Sequence, residues 1–158
     1  MGNYYLMASN ATPEMYQAIA CLRRLADAFQ RRRTQLASSV GLSEQQWEVL
    51  EEISNEHFMP SMFARTRSST PPAVSKTIRQ LVDKGLVSVS LSKSDGRQRE
   101  YVLTSQGKKT MAKLRHEREL AVRRIWLPLD RERLRSFVAF GNALTERLEQ
   151  YAEEDSDG

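Results

Sequence analysis

At Gly85 the hydrophobic period of this chain changes from 3.6 residues to 2, and no other feature limits its fold so sharply. Before that glycine, Val74, Ile78, Leu81 and Val82 gather on one side of a helix expected from Pro71 to Lys84. After it, LVSVSLS sets Val87, Val89 and Leu91 against Ser88, Ser90 and Ser92, which is the alternation of a strand with one apolar face. Asp95-Gly96 is a hairpin-turn signal, and REYVL resumes as a second strand. A ribbon of two such short strands is marginal alone, so it must lean on helices.

Those helices are legible on both sides. Met15, Ile19, Leu22, Leu25, Phe29 and Leu36 form one apolar stripe from Pro13 to about Ser38, with Thr12 and Pro13 as start signals. Ser43 and Gln46 form a capping box before a helix with Trp47, Leu50 and Ile53 on one face. A short segment from Ser61 to about Arg67 carries Met62, Phe63 and Ala64. Thr70 is a cap candidate for the helix at 71–84, and Gly85 fits just past its end. Thr104 is expected to cap a helix with Met111, Leu114, Ala121, Val122 and Ile125 as its stripe. Asp130 starts a last helix, where Leu134, Phe137, Gly141, Leu144, Leu148 and Tyr151 form a heptad-like seam. The acidic residues 152–158 read as a frayed tail.

The order is helix, helix, short helix, helix, strand, turn, strand, helix, helix. That is a mainly α chain with a small β-hairpin wing, and its centre is a winged helix-turn-helix. The 158 residues read as one domain, with the winged lobe at 43–104 and helical regions at 12–40 and 105–151.

Charge singles out the same centre. Residues 61–109 hold ten Lys or Arg against three acids, whereas the whole chain carries only +4, so the flanks are net acidic. A basic middle on acidic arms suits a polyanion. On the polar face of the helix at 71–84 lie Pro72, Ala73, Lys76, Arg79 and Gln80. Lys76 and Arg79 can reach phosphates or guanine acceptors, and Gln80 can pair with adenine. Ser69, Thr70 and Ser75 put hydroxyls at the helix start, where free amides are expected to favour a phosphate. An ordinary amphipathic helix has a polar face too. What separates the two readings is the ribbon that follows, with Lys93, Arg97 and Arg99 around its corner, suited to a minor groove. Asp95 stands two residues before Arg97, within reach of its guanidinium.

These residues resemble the MarR (multiple antibiotic resistance regulator) family of bacterial winged-helix regulators. The likeness runs from about Pro13 to Tyr151. It is most specific in Phe63-Ala64, VSKTIRQLVDKGLV and SDGRQREYVLTSQGK, with Asp95 and Arg97 as the wing-tip Asp-x-Arg and Leu103, Thr104 and Gly107 as the Leu-Thr-x-x-Gly leaving it. GLSEQQWEVL at 41–50 also resembles the family's preceding helix. Arg67 and Ser69 stand where the family is usually apolar, and the tandem Pro71-Pro72 is unusual. The resemblance implies a homodimer with interlocking terminal helices, double-stranded DNA with an inverted-repeat operator as partner, and a repressor responsive to a small aromatic or phenolic effector. It also implies an effector pocket, for which Tyr16, Arg23, Phe29 and Trp47 are the candidate lining.

Other classes find less support. No apolar run reaches the roughly 18–20 residues of a membrane span, and the N-terminus lacks the pattern of a secretory signal. Cys21 is the only cysteine, which fits a reducing cytoplasm; the apolar residues around it suggest a buried structural thiol rather than a redox switch. His57 and His116 are the only histidines and lack metal-ligand spacing; no phosphate loop or nucleophile elbow occurs, so neither enzyme chemistry, a metal nor a cofactor is expected. A winged helix turned to protein contacts is the alternative. Such a module has no use for Lys93, Arg97 and Arg99 together.

Overall fold

A computed structural model describes residues 11–55, 58–67 and 69–156. His57, the first ten residues and the end of the acidic tail lie outside that range. The elements are α1 (Pro13–Ser39), α2 (Glu44–Ser54), α3 (Pro60–Thr66), α4 (Pro71–Asp83), β1 (Val87–Leu91), β2 (Arg99–Leu103), α5 (Ser105–Ala121), a π-helical turn (Val122–Trp126) and α6 (Arg131–Ser156). They form two compact units, one up to Leu114 and one from Arg115.

In the first unit, local signals set the helix ends. Thr12 precedes Pro13 at the start of α1, but its side chain makes no cap bond to the helix backbone. The Glu14 carboxyl is held below its usual range by its own backbone N–H and by the Thr12 hydroxyl. The capping box of α2 forms as expected: Ser43 Oγ accepts the Gln46 N–H at 3.1 Å, and Gln46 Oε1 accepts the Ser43 N–H at 3.1 Å. Ser43→Ala is expected to lower stability by about 1 kcal/mol. A urea-denaturation midpoint that does not move contradicts this.

The apolar faces of α2, α3 and α4 close on one another and on the ends of α1 and α5. Trp47, Leu50 and Ile53 are buried, with Val49, beside Phe63, Ala64, Val74, Ile78, Leu81, Met111 and Leu114. Each fully covered aliphatic side chain, such as Leu50, Leu81 or Leu114, contributes about 1.5–3 kcal/mol. On α4 the buried arc is Val74, Thr77, Ile78 and Leu81; Thr77 takes the place expected of Val82, which is exposed. Thr77 is tolerated there because its hydroxyl donates to the Ala73 carbonyl at 3.1 Å.

Gly85 ends α4 at φ +72°, a conformation that disfavours any side chain. Its N–H reaches the Val82 carbonyl and the Leu86 N–H reaches that of Leu81, the paired closure of a Schellman motif. The chain then leaves directly as β1, paired antiparallel to β2 with Val87 opposite Leu103 and Leu91 opposite Arg99. Of the apolar face of β1 only Val87 is buried; Val89 and Leu91 are exposed, because the ribbon extends beyond the helices that cover its base. Tyr101 anchors its middle through an edge contact with Phe58 at 5.8 Å.

In the second unit the seam of α6 is open: Phe137, Leu148 and Tyr151 are exposed, as are Val122 and Ile125 before it. Asp130 caps α6 by accepting the Arg133 N–H at 2.9 Å. The acidic end expected to fray continues α6 as far as Ser156.

Candidate nucleic-acid interface

The polar face of α4 is positioned by its buried one. With Val74, Thr77, Ile78 and Leu81 held in the core, Ser75, Lys76 and Arg79 turn outward and are exposed; Thr70 and Pro72 are exposed at its start, and Ser69 and Ala73 are half-buried. Seven residues, 92–98, join the strands. They are closed by the Ser92 N–H on the Gln98 carbonyl (2.7 Å) and the Gln98 N–H on the Asp95 carbonyl (2.9 Å). Lys93, Asp95, Arg97 and Arg99 are all exposed on this corner.

Three expectations about this surface are corrected. First, α4 begins without free amides. Pro71 and Pro72 have no N–H, the Ala73 N–H is taken by Thr70 Oγ1 at 3.3 Å, and the Val74 N–H bonds the Thr70 carbonyl. Only side chains remain to meet a phosphate there. Second, the Asp95 carboxylate accepts the Arg97 backbone N–H at 3.2 Å rather than holding the guanidinium, which shapes the turn. Third, Gln80 does not stand free for adenine: its Oε1 accepts a hydrogen bond from Gln46 Nε2 at 2.9 Å. Gln46 escaped the sequence reading because only its capping role shows in spacing. Lys84, another cation of the basic segment, donates its ammonium to the Gly41 carbonyl at 2.7 Å.

The departures from the family pattern are absorbed at the surface. Arg67 closes α3, lies over the Phe63 ring at 6.0 Å and pairs with Glu52 at 3.7 Å, so it does not enter the core. The Ser69 N–H bonds the Ala64 carbonyl at 2.9 Å, which makes the turn between α3 and α4.

The effector candidates do not converge. Tyr16, Arg23 and Phe29 are exposed along α1, whereas Trp47 is 2% exposed and belongs to the core. Arg33 covers the Trp47 ring at 4.7 Å and pairs with Glu48 at 3.6 Å. Trp47 Nε1 is buried with no hydrogen-bond partner among the described residues, a cost of about 1–3 kcal/mol. A cleft of about 640 Å³ lies between β2 and the end of α2, with Phe58, Arg97, Arg99 and Tyr101 in its lining. Cys21 is exposed rather than buried, because the stripe it borders on α1 is itself exposed.

A short helix, a second helix with an outward cationic face, and a basic ribbon directly after it make this a winged helix-turn-helix. Residues 40–98 match the MarR family model, in line with the resemblance read from the sequence. The fold agrees. AbsC, a MarR family transcriptional regulator from Streptomyces coelicolor, is similar at 22% identity and TM-score 0.71, over 89% of this chain and 97% of that one. A mutant of MepR from S. aureus, bound to an oligodeoxyribonucleotide, is similar at 17% identity and TM-score 0.59, over 83% and 97%. CouR from Rhodococcus jostii RHA1 bound to p-coumaroyl-CoA is similar at 17% identity and TM-score 0.63, over 78% and 88%. No curated protein sequence matches the chain. No helix among the described residues is long and apolar enough to cross a membrane.

Proposed function

We propose that this chain is a homodimeric regulator that binds duplex DNA at an inverted repeat, α4 of each copy in a major groove and each ribbon against the adjacent minor groove. The observation that carries the reading is the outward, exposed placement of Lys76 and Arg79 on α4, followed at once by Lys93, Arg97 and Arg99 on an exposed corner. Ser69, Thr70, Ser75 and the Asp95 turn position the backbone contacts, and Pro72 and Ala73 allow close approach. A complex of MepR with an oligodeoxyribonucleotide supports the same use of the fold. Homodimerisation rests on the exposed apolar stripes of α1 and α6.

The regulator acts as a repressor in the bacterial cytoplasm and answers to a small aromatic or phenolic effector. The p-coumaroyl-CoA complex of CouR supports that ligand class. Tyr16, Arg23 and Phe29 on α1, and Trp47 in the core, are the effector contacts proposed from the family resemblance. The effector acts by favouring one separation of the two reading heads, so its affinity differs between free and DNA-bound protein.

Arg97→Ala tests the DNA reading. Affinity for the operator is expected to fall about tenfold, and the slope of log affinity against log salt to become shallower by about 1. Unchanged affinity and slope favour the second reading, a protein-contact module, for which exposed Val89, Leu91 and Val102 on the ribbon speak.

A further inference from the structure

We infer that Gln80 reads DNA as a hydrogen-bond donor only, and that Gln46 on α2 imposes this polarity. The inference rests on the reading of α4 as the recognition helix and adds the base chemistry that one of its residues selects.

The polarity is set by a chain of hydrogen bonds that starts at a helix cap. Gln46 sits three residues after Ser43, so its Oε1 is committed to the Ser43 N–H at 3.1 Å. An amide has one oxygen and one nitrogen end. With the oxygen spent on the cap, Gln46 presents Nε2 toward α4. That nitrogen donates to Gln80 Oε1 at 2.9 Å, in a half-buried contact between residues 34 positions apart. Gln80 therefore turns its own Oε1 back to α2. Its Nε2 has no partner among the described residues.

Pairing with adenine needs both ends of the amide on one base edge: oxygen for the N6 amino group, nitrogen for N7. An Oε1 held against α2 is not presented there. What is left is a donor, and the edge that offers it two acceptors in the major groove is guanine, through N7 and O6; thymine offers only O4, and adenine only N7 beside an amino group that a donor cannot meet. The base pair facing Gln80 is thus selected for acceptors. Gln80 acts on DNA, whereas Gln46 acts through it as a positioning residue.

Gln46→Glu tests this while keeping the cap, because a carboxylate at this position still accepts the Ser43 N–H. It cannot donate to Gln80. The new carboxylate accepts from Gln80 Nε2 instead, which reverses the Gln80 amide and turns Oε1 outward. Full-length wild type, Gln46→Glu, Gln80→Ala and Lys76→Ala are each used to select duplexes from a randomised pool. Wild type is expected to select guanine at one position of each half-site, and Gln80→Ala to lose that preference. Gln46→Glu is expected to move it to adenine or cytosine, by about fivefold, the worth of one neutral hydrogen bond. Overall affinity falls with the added negative charge, but the readout is preference.

Wild-type selection of adenine at the position that Gln80→Ala relaxes overturns the inference. So does a Gln46→Glu selection identical to wild type, or a Gln80→Ala selection that relaxes nothing. Lys76→Ala separates these from failure of the DNA reading itself. A wild-type operator whose affinity Lys76→Ala weakens leaves that reading standing while this one falls. No selected sequence at all removes both.

Discussion

Gly107→Ala is expected to lower the stability of the first unit by about 3 kcal/mol, the upper part of the range for forcing atoms into a packed site. A Cβ built on Gly107 lies 2.1 Å from the carbonyl oxygen of Leu86 and 3.1 Å from its carbon. That oxygen is not free to retreat. It accepts the Thr104 N–H at 3.0 Å, and the neighbouring Gly85 carbonyl accepts the Thr104 hydroxyl at 2.6 Å. The same hydroxyl accepts the Gly107 N–H at 3.1 Å and so caps α5. Thr104 and Gly107 together fasten the start of α5 to the end of α4 and the base of the ribbon. Relief of the clash must pull that corner apart. In a thermal melt at fixed protein concentration the midpoint is expected to drop by about 10 °C; a melt within about 2 °C of wild type contradicts the account.

The second large effect is on assembly. Met15, Tyr16, Ile19, Leu22, Leu25 and Phe29 are 47–61% exposed along one side of α1, and Phe137, Val138, Phe140, Leu148 and Tyr151 are exposed on α6. Faces of this extent are rarely left open to water and are expected to close on a second copy. Leu22→Glu with Leu25→Glu sets two carboxylates into the proposed contact, where desolvating each costs several kcal/mol. Sedimentation equilibrium is expected to show a dimer for wild type and a protomer for the double variant. Binding to a two-half-site duplex is expected to weaken by about 100-fold or more, since the second contact is no longer tethered to the first. A double variant that remains dimeric sinks the assignment of this face. Loss of the dimer with no loss of DNA affinity would instead separate assembly from binding.

Much of the fold was legible because its signals are local. The capping box at Ser43, the cap at Thr70 and the glycine at 85 each act within a few residues, and each appears as read. The site was legible by element and less so by role. Lys76, Arg79 and the cations of the ribbon stand exposed, as their helical and strand positions imply. Gln80, Asp95 and the α4 amides were misread because their partners decide what they do. Gln80 meets a residue 34 positions away, Asp95 meets a backbone N–H, and the two prolines remove donors that a generic helix end would have. Burial was misread where a periodic stripe stayed open: on α1, on α6, at Cys21 and on the outer half of β1. Periodicity tells which residues share a face, not what covers it.

From its residues alone this chain determined the order of its elements, their ends and the place where a helix gives way to a ribbon, because caps, prolines, glycines and hydrophobic period act over one or two turns of backbone. Only the tertiary structure decided which polar groups are already spent, as at Gln46 and Gln80, and which glycine is indispensable, as at Gly107. Those outcomes depend on distances between segments remote in sequence, and no local preference specifies them.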